Sequence, residues 1–132
     1  MLVKGLLGLV LLLGFVAPVF SDSKEKQLLS RVEARWALIA EGEYLKVYEY
    51  ETPNFKKVFS GELFAAKFGY DVKYKMLDVI RVEIDKASNL ATVVVNIATS
   101  SAGAKKDINV IPVVFNEKWL HIDGQWWHSF DK

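Results

Sequence analysis

The sequence predicts an α+β domain in which N-terminal helices pack on a curved antiparallel sheet. Three observations predict it. Apolar residues recur at helical spacing as far as Gly69, the period then changes to two, and an Asp123-Gly124 pair sits between apolar runs near the C-terminus. Helices first and a meander of long strands after them is the order of an α+β domain with its helices on one sheet face. The chain has 132 residues, 52% of them hydrophobic, with four Trp, five Tyr and eight Phe. That is enough apolar material for one core, and it excludes a disordered chain. A formal charge of +1 gives no electrostatic reason for a nucleic-acid partner. With no cysteine, disulfides, thiolate nucleophiles and zinc-thiolate sites are excluded.

Residues 1–21 have the features of a secretory signal peptide. Lys4 is the only charge, an uncharged Leu-rich run extends from Gly5 to Ala17, and Pro18 breaks it. Val19 and Ser21 place small side chains at the −3 and −1 positions, so cleavage is expected after Ser21, with a periplasmic or secreted domain over residues 22–132. The run is shorter than a spanning helix requires, so membrane contact is expected only through an uncleaved leader.

The first helix is expected over Asp22 to Ala40, with Asp22 and Glu25 as a capping box and Leu28, Leu29, Val32, Trp36 and Ile39 as its apolar stripe. Gly42 should stop it. A short helix, Glu43 to Tyr50, follows with Tyr44, Val47 and Tyr48 on one side. Thr52-Pro53 reads as cap and first residue of a third helix through Phe59, and Ser60 caps a fourth, with Leu63, Phe64 and Phe68 inward and Gly69 ending it. Strands are expected over Val72–Ile84, Leu90–Thr99, Ile108–Ile122 and Gln125–Phe130. They are joined by a polar turn at Asp85–Asn89, a loop at Ser100–Asp107 and a two-residue type I′ turn at Asp123-Gly124. Pro112 inside a strand implies an edge or a bulge.

The run Arg35-Trp36-Ala37-Leu38-Ile39-Ala40-Glu41-Gly42-Glu43-Tyr44, the aromatic stretch Tyr48–Phe59 and the ending from Glu117 to Trp127 resemble the nuclear transport factor 2-like superfamily. The resemblance covers Asp22 to Phe130. It implies a cone-like, cystatin-like roll with an apolar pocket at its open end. That superfamily includes ketosteroid isomerase, dehydratases, polyketide cyclases, epoxide hydrolases and members without known chemistry, so the fold alone assigns no reaction.

Two groups of residues invite chemistry. With the final turn fixed, His121 falls opposite Trp126, Trp119 opposite His128 and Glu117 opposite Phe130, on the face carrying Ile111, Val113 and Phe115. Both histidines and a carboxylate thereby share a surface, as a pocket wall with an acid or base or as amphipathic filler in an ordinary sheet. No metal site is expected, because the two histidines have different cross-strand partners. In the second group, a register pairing Ile84 with Leu90 places Asp78 opposite Asn96 on an apolar wall, the setting of the general base in ketosteroid isomerase, a worked case of pKa tuning. Tyr44 or Tyr48 would serve it as hydrogen-bond donor. A slip of one residue moves Asp78 to the other face. The isomerase's Tyr/Asp/Asp set has no position-by-position match here.

The reading is therefore an exported binding module, without cofactor, holding a small apolar ligand among Tyr44, Tyr48, Asn96, Trp119, Trp126 and Phe130. One alternative is a small lyase, isomerase or hydrolase with Asp78, His128 or His121 as general base. Another is an accessory subunit that forms a homodimer through its sheet, since both strand faces are apolar.

Overall fold

The computed structural model describes residues 23–68, 71–101 and 110–130. The leader, the Asp22 cap, Gly69 and most of the Ser100–Asp107 loop lie outside them. Helix α1 occupies residues 23–40, followed by α2 (Tyr44–Tyr48), α3 (Pro53–Val58) and α4 (Gly61–Ala66). Strands β1 (Val72–Asp85), β2 (Leu90–Ser101), β3 (Ile111–Ile122) and β4 (Gln125–Ser129) form one antiparallel sheet in sequential order. The expected α+β layout, helices followed by a meander, is the observed one.

Local chemistry accounts for the helix ends. Gly42 adopts a φ of +76°. Its N–H donates to Ile39 O while Glu43 N–H donates to Leu38 O, a Schellman ending that satisfies carbonyls α1 would otherwise leave unpaired. Thr52 Oγ1 accepts from Phe55 N–H ahead of Pro53, and Ser60 Oγ accepts from Leu63 N–H. Leu63 itself is 61% exposed, against the inward position expected for it, and Phe64 is the residue of α4 that reaches the core. Six residues give α4 fewer than two turns, so it presents a single inward position.

The core lies between α1 and the odd-numbered face of β2 and β3. Leu28, Val32, Trp36 and Ile39 meet Ala91, Val93, Val95, Ile97 and Trp119, with Val47, Phe64 and Trp126 closing it. The final turn carries positive φ at both Asp123 and Gly124, as a type I′ turn requires. The pairs Trp119–His128 and His121–Trp126 form as expected.

Strand β1 departs from the expected register in an instructive way. Asp85, not Ile84, pairs with Leu90, which leaves a four-residue turn, and bulges interrupt the ladder at Ile80 and Leu77. The bulge at Ile80 cancels the one-residue error, so Asp78 does lie opposite Asn96. Each bulge also resets the alternation of side chains. The residues of β1 packed against the core are Tyr74, Met76, Val79, Val82 and Ile84, and Asp78 falls on the opposite, exposed face. Pro112 pairs with Ala98 without any register shift. It lies on an edge, because the pairing of β4 with β3 ends at Lys118–Ser129.

Candidate functional site

Four ionisable side chains converge beneath the helices. Arg35 is 4% exposed, Glu51 0%, Glu117 6% and His128 6%. Arg35 comes from the apolar stripe of α1, Glu117 from the core face of β3 and His128 from that of β4. Glu51 sits on a segment that adds itself to the sheet edge. It forms a parallel bridge with His128, Thr52 N–H donates to His128 O, and His128 N–H donates to Tyr50 O at 2.7 Å. Backbone pairing therefore fixes the Glu51 carboxyl beside the imidazole.

The hydrogen bonds form one network. Arg35 donates through Nη1 to Glu117 Oε2 at 3.2 Å and through Nη2 to Glu51 Oε1 at 3.4 Å. Glu117 also accepts from Trp36 Nε1 at 3.0 Å and Trp119 Nε1 at 3.2 Å, so both its oxygens act as acceptors, the pattern of a carboxylate. His128 Nδ1 lies 2.8 Å from Glu51 Oε2 and 3.0 Å from Oε1. Burial pushes the Glu51 carboxyl up to about 7, against the pull of Arg35. Burial, helped by the Arg35 charge, pushes the His128 imidazole down to about 3. Both directions favour uncharged forms. A neutral imidazole and a neutral carboxyl share a proton across the 2.8 Å contact, and the pair becomes an imidazole donating to a carboxylate once that carboxyl ionises.

This network forms one wall of a cavity of about 490 Å³. Trp36, Ile39, Phe68, Tyr74, Phe115 and Phe130 supply its apolar surface, and Arg35, Asn116, Glu117, Lys118, His128 and Ser129 are the polar residues along it. The volume falls in the range of small-molecule sites, and apolar walls with a few convergent polar groups are their usual composition. With Nδ1 held by Glu51, His128 turns its second nitrogen, Nε2, away from that partner, and no hydrogen bond to Nε2 forms among the described residues.

The residues expected to carry chemistry separate. His128 and Phe130 border the cavity, as do Glu117 and Phe115. Asp78 is exposed, and its partner Asn96 is half-buried on the same helix-free face, so neither borders the cavity. Tyr44 and Tyr48 cannot serve Asp78 from the helical layer. Tyr44 stacks on Phe68 with ring centroids 4.4 Å apart, and Tyr48 Oη donates to the carbonyls of Lys56 and Phe59. Trp119 and Trp126 are core, Trp126 donating to Lys24 O at 3.1 Å. His121 tilts against Trp126 and lies outside the cavity lining, its pKa lowered by burial and then by Lys24. Among the described residues no cluster of His, Asp and Glu is placed to hold a metal ion.

Arg35 and Glu51 were not singled out from the sequence. Arg35 carried a signal: with Leu28, Val32 and Ile39 it falls on the buried stripe at spacings of three and four, where a charge needs a partner. Glu51 carried none, because its position depends on a long-range bridge to β4.

No family model matches the chain, and no curated protein matches it. Among solved structures it is similar to a crystal structure at 1.50 Å from Xanthomonas campestris pv. campestris, described as a "putative polyketide cyclase". The identity is 8%, the TM-score 0.45, and the match covers 80% of this chain and 91% of that one.

Proposed function

We propose that the chain is an exported, nuclear transport factor 2-like domain that binds a small, largely apolar molecule in the cavity beneath α1. The observation that carries this reading is the 490 Å³ cavity walled by Trp36, Tyr74, Phe115 and Phe130 and backed by a buried, hydrogen-bonded polar cluster. The sequence resemblance over residues 35–44 and the closing hairpin supports the superfamily, and the Leu-rich leader supports export. Trp36 lines the cavity, so a bound aromatic probe should change its fluorescence. Replacing Phe115 with Ala removes a wall ring and should weaken that probe at least tenfold. Saturable binding lost in Phe115→Ala supports the reading, whereas no saturable binding by aromatic or alicyclic probes would refute it.

A second reading, a proton-transfer enzyme of isomerase, lyase or hydrolase type, is favoured by the 2.8 Å contact between Glu51 and His128. A neutral histidine oriented by a carboxylate is positioned to accept a proton at Nε2. Under this reading the rate rises as Glu51 ionises near pH 7 and disappears in His128→Gln. A turnover unaffected by that substitution removes His128 from the chemistry. Homodimerisation across the helix-free face is supported by exposed Leu77, Ile80 and Val114. A sedimenting species of monomer mass at micromolar concentration would overturn it.

A further inference from the structure

We infer that the cavity takes an organic ammonium ion, a protonated amine on an apolar body, with its N–H groups set against His128 and the acidic cluster behind it. This rests on the ligand-binding reading above and names the class of ligand.

The buried cluster holds two carboxylates, Glu51 and Glu117, against one guanidinium, Arg35. His128 is kept neutral by its burial. The other nearby cations do not close the balance from inside. Lys118 borders the cavity, but it follows Glu117 on β3, so strand alternation places it off the face that carries the cluster, and it forms no ion pair with Glu51 or Glu117 among the described residues. Lys56 donates to Glu49 O and lies over Trp127, and Lys67 lies over Phe59 and Phe130. Both lysines act on Glu51 only by lowering its pKa through space, and the carboxyl stays raised regardless. The cluster is thus one positive charge short of neutrality, and in the empty cavity a proton shared by Glu51 and His128 supplies it. A ligand cation can take that proton's place.

The cavity walls point to the same class. Trp36, Phe68, Tyr74, Phe115 and Phe130 are aromatic, and ring faces attract ammonium groups, more strongly where water is excluded. The hydrogen-bonding pattern agrees. When Glu51 is ionised, His128 Nδ1–H donates to it, leaving a lone pair on Nε2 that accepts an N–H. An anionic ligand finds no equivalent welcome. Both terminal nitrogens of Arg35 are committed to carboxylates, and its Nε is sealed from the surface without a partner.

The test is calorimetric titration of the full chain with 2-phenylethylammonium, 2-phenylethanol and phenylacetate at pH 6 and pH 8. These probes match in shape and differ in charge, and the amine stays protonated at both pH values. The amine should bind at least tenfold more tightly than either comparator at pH 8. Its affinity should fall about tenfold at pH 6, as the pair regains its proton. At pH 6 amine binding should release a proton, read from the dependence of the heat on buffer ionisation. In Glu51→Gln, which removes the excess negative charge, the amine should bind no better than the alcohol at either pH. If that variant does not fold, the wild-type pH series decides alone. Equal, pH-independent binding of amine and alcohol overturns the ammonium inference and leaves the ligand-binding reading intact, as does a preference for phenylacetate. No binding by any of the three overturns both.

Discussion

Replacing Arg35 with Met tests the buried cluster most directly. The substitution keeps an unbranched chain of similar length in α1 and deletes the guanidinium that bridges Glu117 at 3.2 Å and Glu51 at 3.4 Å. Each attraction is worth about 5 kcal/mol at an effective dielectric constant near 20, and the cost of burying the ions offsets much of it. Removing one partner is a different matter, because the carboxylates remain buried with no countercharge, a loss of about 3–5 kcal/mol. A domain of this size has a stability of about 5–15 kcal/mol, so the loss is a large fraction of the whole and should lower Tm on the order of 15 °C. The loss should be smaller at pH 5 than at pH 8, since protonating Glu51 removes one orphaned charge. Urea unfolding followed by tryptophan fluorescence at both pH values measures this, and Trp36 and Trp119, which donate to Glu117, report on the cluster itself. Arg35→Lys should recover less than half, because one ammonium cannot span two carboxylates as a guanidinium fork does. A loss below about 1 kcal/mol at pH 8, equal at pH 5, would refute the reasoning, since it would mean the ions are effectively solvated.

Three further outcomes follow from other parts of the fold. Glu51, with a folded pKa raised from 4.5 to about 7, stabilises the fold at low pH, and that contribution is lost as pH rises from about 4.5 through 7. His128, lowered from 6.5 to about 3, acts oppositely, so stability rises with pH over about 3 to 6.5. The two slopes oppose each other in the native chain. Glu51→Gln should therefore unmask a rise of up to about 1.4 kcal/mol per pH unit below 6.5, and a flat profile by denaturant titration would count against the assignment. Gly42→Ala should cost about 1 kcal/mol in thermal melts: the position has φ +76° with no atom near an added Cβ, so backbone strain acts alone. An unchanged Tm would show that α1 does not end in the left-handed conformation. Asp78→Asn should leave probe affinity and stability within about 0.5 kcal/mol of the parent, as expected for an exposed residue on the helix-free face. A tenfold fall in affinity would return Asp78 to the site.

What was legible in the sequence was whatever local chemistry decides. Gly42, Thr52-Pro53, Ser60 and Asp123-Gly124 each fix a turn or a cap through their own backbone preferences, and each does so in the structure. The hairpin register followed from its turn, which is why Trp119–His128 and His121–Trp126 were correctly paired. Strand β1 shows where that reasoning stops. Its apolar residues come as the adjacent pairs Met76-Leu77 and Val79-Ile80, split by Asp78 and Arg81, so no strict alternation marks the core face, and bulges at Leu77 and Ile80 carry no proline or glycine to mark them. The pair Asp78–Asn96 was found, but its face was not, and a carboxylate expected on an apolar wall is in solvent.

The same distinction explains why half of the site was hidden. Glu117 and His128 are cross-strand neighbours of a hairpin and could be placed on one surface by counting. Arg35 and Glu51 reach that surface from a helix and from a segment bridged to β4, through contacts 82 and 77 residues apart in the chain. Counting cannot reach such contacts, but the energetics of burial can. A carboxylate on the inner face of a hairpin, here Glu117 among Phe115 and Trp119, demands a buried cation, and the helix stripe offers one candidate at its centre, Arg35. One guanidinium then meets a second carboxylate, and the imbalance falls on His128. The site is best understood as the consequence of that imbalance: a largely apolar cavity bordered by Arg35, Glu117 and His128, with Glu51 buried directly behind His128.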